Sequence, residues 1–256
     1  MELFLAELKR IWTEFIRYPV DALSVVFITT LIFYALFASV QYVSGPAVQF
    51  GDRLDAIVVG YILWSLIVFI VNEITFGLQI EAQTGTLEQV FLSPYGTRRV
   101  FLTRALASLT LRLVLNGMVL LLTLLLTGRR LSFPPSLLLP LVTVLLGAYG
   151  LAFMLAATAL LFKRISQLLS LLQLGLVFLL MAPTETWTGV LQWLRLLLPM
   201  TLGAGMLREL MARSGSLSGM ECAIALLNGG LYLALGLSLF RRAERIAKKQ
   251  GRLGGY

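Results

Sequence analysis

The sequence predicts an all-α polytopic membrane protein, and three observations carry that reading. The chain is 58% hydrophobic and 13% charged with a mean hydropathy of +0.87, far from a water-soluble domain. Six apolar stretches are long enough to be helices crossing a hydrocarbon core of about 30 Å. The charged residues gather at the ends of those stretches.

Residues 1–18 place Phe4, Leu8, Ile11, Trp12, Phe15 and Ile16 on one helical face and Glu7, Lys9, Arg10, Glu14 and Arg17 on the others. This is the pattern of an amphipathic helix lying along the membrane. Because it precedes the first apolar run, no cleavable signal peptide is expected. Tyr18 and Pro19 break it. Residues 22–43 carry no charge and form the first span. A linker through Gly45, Pro46, Gly51 and Asp52 leads to the second, 54–78, which holds Glu73 near its end. The third span, 105–127, is interrupted only by Arg112. Gly128 to Pro135 make a short loop.

The fourth span, 136–162, contains Gly147, Gly150, Ala152, Ala156 and Ala157, small residues that let another helix approach closely. Only Lys163 and Arg164 separate it from the fifth, 165–182, so these two are expected to form a tight antiparallel pair. The stretch 183–219 is too long and too apolar for a simple loop, and reads as short interfacial or re-entrant helices. The sixth span is 222–240, followed by the basic tail RRAERIAKKQGR.

With six spans both termini share a side. Most of the 21 basic residues lie there: Lys9, Arg10, Arg17, Arg98, Arg99, Arg104, Lys163, Arg164 and the tail cluster. The positive-inside rule assigns that side to the cytoplasm, with Arg129 and Arg130 weakening the bias from outside. The formal charge of +8 is therefore a topology signal, and no compact basic patch with interleaved aromatics points to nucleic acid. A single cysteine, Cys222, excludes an intramolecular disulfide, and with no histidine no metal site is expected.

One polar stretch interrupts the spans on the cytoplasmic side, EAQTGTLEQVFLSPYGTRRVFLTR from Glu81 to Arg104. Leu87, Val90 and Phe91 have helical spacing, and Thr86 with Gln89 can form a capping box. Pro94 ends the helix near Ser93. Two turns of helix cannot span a bilayer, so this apolar face must meet something else.

No GxxxxGK[ST] phosphate loop occurs, so the chain has no evident means of hydrolysing ATP by itself. Nucleophile arrangements based on His or Cys are absent, which disfavours a membrane enzyme. A periodic ladder of intramembrane charges, expected of many ion-coupled carriers, is missing too. Glu73 stands eight residues before Glu81 and Arg112 eight after Arg104. At 1.5 Å per residue both lie about 12 Å deep and can face each other, as a gate latch near the cytoplasmic mouth or as a static pair.

The run Glu81, Thr84-Gly85-Thr86-Leu87-Glu88, Leu92-Ser93-Pro94, followed by Arg98 to Arg104, resembles the coupling-helix segment of type-2 ATP-binding-cassette transporter permeases. Leu198-Pro199-Met200-Thr201, Leu207-Arg208-Glu209-Leu210 and Gly215 are similar to that family's pattern before its last span. The resemblance implies an exporter permease that binds no cofactor itself and works with a separate nucleotide-binding subunit holding ATP and magnesium. It implies two permeases, as a homodimer, and two ATPases in the plasma (inner) membrane.

In such a complex the helix of 81–94 docks in a groove of the ATPase. Leu87, Val90 and Phe91 would fill the groove, Glu81 and Glu88 would add polar specificity, and Gly85 and Pro94 would set the ends. The resemblance further implies a substrate route lined by the second and fifth spans, where Trp64, Asn72, Gln173 and Phe178 are candidates. So few charges suit an amphipathic or apolar cargo such as a drug, lipid or lipid-linked molecule. A membrane scaffold without transport and an ion-coupled carrier are the alternatives.

Overall fold

The computed structural model describes residues 2–44, 51–86, 89–90, 92, 94–128, 131–162, 165–213, 215 and 217–249, and its regular structure is helical throughout. The first helix, α1 (Glu2–Arg17), is the expected amphipathic one, with Ile11 buried against the bundle and Ile16 exposed. Only Tyr18 separates it from α2 (Pro19–Ser44), where Pro19 takes the first helical position that tolerates its missing N–H. Contact between α2 and the rest runs along one narrow stripe of Val26, Thr30, Phe33 and Phe37, and most of the other described side chains of this helix are exposed.

The organising element is α3 (Gly51–Gln83), the most buried of the candidate spans. Gly51 and Asp52, expected in a linker, already belong to it, and at the other end it runs past residue 78 into the polar stretch. Tyr61 donates from α3 to the Thr29 carbonyl of α2 at 2.8 Å. After α3 the chain turns at Gly85, whose φ of +74° suits a residue without a Cβ. Next comes α4 (Thr97–Thr127), which ends at Gly128 in the left-handed conformation common one residue past a helix.

A short 3₁₀ turn leads into α5 (Leu138–Phe162), which is followed by α6 (Ser166–Met181). The expected tight pair of these two does not form. Instead α5 packs along α9 (Gly219–Lys249), while α6 packs on α3. The cause is the placement of the small residues: Gly150 lies against Tyr232 and Leu233, and Gly229 against the Thr143 carbonyl, so α5 and α9 approach at backbone distance. The basic tail is also not a tail. Phe240, Ala243 and Ala247 are buried, and α9 continues unbroken to Lys249.

Between α6 and α9, residues 190–212 form two helices, α7 (Val190–Leu197) and α8 (Thr201–Ala212), bent by 101° at Leu198-Pro199-Met200. Met200 stands at φ 66°, the left-handed region that a non-glycine residue enters only under constraint. The break frees carbonyls at the end of α7, and α9 satisfies them. Asn228 donates to the Leu196 carbonyl and Tyr232 to that of Leu197, both at 2.6 Å. Unlike an interfacial helix, α8 is buried against α3 and α5 over most of its length.

Five of the described helices are individually long and apolar enough to cross a membrane: α2, α3, α4, α5 and α9. The 16 residues of α6 reach only about 24 Å, less than the span expected for 165–182, because Pro183 follows immediately. A sixth crossing by composition would be the bent α7–α8 pair. α1, the last turns of α3, the start of α4 and the last turns of α9 gather at one end of the bundle, called here the terminal end.

Candidate functional site

At the terminal end, α3 and α4 are locked together by an ion pair between Glu81 and Arg104, which Glu7 of α1 joins at 3.5 Å. Glu81 therefore faces inward, where the sequence placed it on a docking surface. Beyond it Thr84, Gly85 and Thr86 form an exposed turn. The hydroxyl of Thr84 donates to the Ile80 carbonyl at 2.9 Å and that of Thr86 to the Glu81 carbonyl at 3.4 Å. Thr86 thus closes the end of α3 with its side chain, where a capping box would turn it toward Gln89.

Leu87, Glu88, Phe91 and Ser93 lie outside the described residues. Val90 is half-buried and packs on the main core, so part of its side chain is already taken up by the bundle. Among the described residues of this stretch the most exposed apolar side chain is Leu92, at 83% exposure, followed by the exposed Pro94 and Tyr95. Periodicity ranked Val90 with the docking face because it could not distinguish the bundle from an outside groove.

Three of the four substrate-path candidates meet between α3 and α6. The indole N–H of Trp64 donates to the Gln173 carbonyl at 3.3 Å, and the Gln173 amide donates to Asn72 Oδ1 at 2.7 Å. These are polar contacts in a layer otherwise made of Leu, Ile and Val, and they fix the rotation of α6 against α3. Phe178 takes no part: it is 68% exposed on the outer side of α6.

Glu73 and Arg112 lie on facing helices, as the register about Glu81 and Arg104 requires, but no ion pair joins them. The Arg112 guanidinium stacks on the Phe69 ring, 4.5 Å from its centroid. Both line a cavity of about 670 Å³ between α1, the start of α2, α3 and α4. Deeper in, the two helices touch again, where Asn116 of α4 accepts from Ser65 at 2.5 Å and donates to the Ile62 carbonyl at 3.1 Å.

Away from the terminal end is a cluster that sequence reasoning missed. Arg208 of α8 is 1% exposed. Its Nη2 donates to Glu185 at 2.8 Å and Thr184 at 3.1 Å, and its Nη1 to the Leu180 carbonyl at 2.5 Å. Arg213 approaches the other Glu185 oxygen at 3.6 Å. The cluster ties the end of α6 to α8. A charged pair in the mixed 183–219 stretch was the available signal, but partners 23 residues apart follow no helical spacing.

A family model described as "ABC-2 type transporter" matches residues 2–212. No curated protein matches the chain. The matched range contains every element described above except α9 and the residues leading into it.

Proposed function

From the premise that the chain belongs to the ABC-2 type transporter family, we propose that it is the permease of an exporter that moves an amphipathic or hydrophobic cargo out of the cytoplasm. A permease of this family pairs with an ABC ATPase subunit. Two copies of each would assemble in the plasma (inner) membrane, with both termini of this chain in the cytoplasm and ATP and magnesium on the partner.

The observation that carries the reading is the exposed turn from Thr84 to Thr86, with the exposed Leu92 and Pro94 beyond it, next to the Glu81–Arg104 lock. A groove on the ATPase that takes Leu92, with Leu87 and Phe91, would push on a turn anchored by ion pairs to α3, α4 and α1 together. Movement of the ATPase would then reach three helices as a rigid-body motion rather than being absorbed by a loop. The Trp64–Gln173–Asn72 connection supports the α3–α6 seam as the route, since it supplies polar groups within an apolar wall.

Co-purification tests the assembly. Tagged chain expressed with candidate ATPase subunits should retain one of them, and the reconstituted complex should hydrolyse ATP faster when amphipathic cargo is present. Export of hydrophilic cargo alone would overturn the cargo class.

A further inference from the structure

The cleft between α1, α3 and α4 is lined by charges of both signs, of which Glu73 and Arg112, in the interior of α3 and α4, do not pair with each other. Arg104 is taken by Glu81 and Glu7, and Arg10 by Glu7 at 2.8 Å. Arg112 is 9% exposed, its Nε has no hydrogen-bond partner, and its guanidinium rests on Phe69. Glu73 has no ion pair or hydrogen bond among the described residues and lines the same cavity. The α3–α4 seam is held shut on both sides of this point, by Glu81–Arg104 at the mouth and by Ser65–Asn116 deeper in.

A charge in a span is costly, and closing the seam would let these two pair at once. The protein instead leaves both on the wall of a cavity of about 670 Å³, within the size range of ligand sites. A simple anion placed there would satisfy Arg112 and oppose Glu73, and a simple cation would do the reverse. Only an occupant carrying both signs satisfies both. Its phosphate would accept from Arg112, and its ammonium would donate to Glu73.

The rest of the wall mixes the charged Arg10, Glu14, Asp21, Glu81 and Arg104 with apolar side chains, among them Ile11 and Phe15 of the amphipathic α1. The geometry points to a binding site for a zwitterionic phospholipid headgroup, a phosphate–ammonium group such as that of phosphatidylethanolamine, entering from the bilayer. The site needs no transport cycle. Binding is measured without nucleotide or partner, so its failure leaves the export reading standing, and loss of the export reading leaves the site standing.

The purified full-length chain in detergent is titrated with phosphatidylethanolamine and phosphatidylglycerol and read by native mass spectrometry. Phosphatidylethanolamine is expected to bind about ten-fold tighter. Glu73→Gln should remove that preference by weakening phosphatidylethanolamine alone, while Arg112→Gln should weaken both lipids. Equal binding of the two lipids by the unaltered chain, or unchanged preference in Glu73→Gln, would overturn the inference. So would displacement of the lipid by soluble phosphoethanolamine at equal concentration, since that would deny the bilayer as source. Should a variant fail to fold, a photoreactive phosphatidylethanolamine still decides on the unaltered chain: crosslinks on α3 and α4 beside Phe69 and Leu111 support the site, and crosslinks confined elsewhere refute it.

Discussion

Gly150 of α5 and Gly236 of α9 meet backbone to backbone, and a Cβ on Gly236 would overlap the Gly150 carbonyl. This contact sets how closely the two helices pack, and hence where α9 carries Phe240 into the core beside Phe153, ring centroids 5.5 Å apart. Overpacking a seam of this kind costs about 1–3 kcal/mol. Gly236→Ala should lower the unfolding midpoint in a denaturing-detergent titration, and Gly230→Ala, with open space around its Cβ, should not.

Arg208 is the buried cation on which α8 depends. Removing one partner of a buried ion pair leaves the other charge stranded and costs about 3–5 kcal/mol. Arg208→Met should destabilise the chain strongly, and Glu185→Met should do the same. The double variant should lose less than the sum of the two, read as a coupling energy in the same detergent titration. Additive losses would remove the pair from the account of how α8 is held.

Leu92 and Val90 should separate coupling from folding. Leu92→Asp places a charge on an exposed side chain, so the chain should insert and purify normally while cargo-stimulated ATPase of the assembled complex disappears. Val90→Asp buries a charge against the core and should reduce the yield of folded protein. Gly85→Pro should behave like Leu92→Asp, because proline cannot adopt a φ of +74°.

Exchanging the charges as Glu73→Arg with Arg112→Glu should not restore what each single change loses. Arg112 sits on Phe69 and shares no ion pair with Glu73, and a glutamate at 112 would lose the cation–π contact. Full recovery of stability and activity by the swapped variant would require a direct pair in some state of the transporter.

Asn116 joins α4 to α3 through Ser65 and the Ile62 carbonyl. Hydrogen bonds between membrane helices contribute about 0.6 kcal/mol on average and up to about 1.7. Asn116→Leu should lower stability by an amount in that range, and Ser65→Ala in the same background should add little.

The sequence by itself determined the fold class and the element order. Helix length, hydropathy and charge at span ends depend on bilayer thickness and desolvation, which act on each segment separately. The amphipathic α1, the small residues of α5 and the polar interruption after α3 were legible for that reason. That Glu73 and Arg112 would lie on neighbouring helices was legible too, because a short connection joins those helices. The tertiary structure decided which faces meet. It packed Val90 on the core, turned Glu81 inward, gave α5 the partner α9 in place of α6, and drew the last basic stretch into a helix on the core. It also left Glu73 and Arg112 unpaired on the wall of one cavity and buried Arg208 against Glu185. Each of these depends on helix rotation and on partners distant in sequence, where many apolar faces are nearly equivalent and only side-chain shape and a few polar contacts distinguish them.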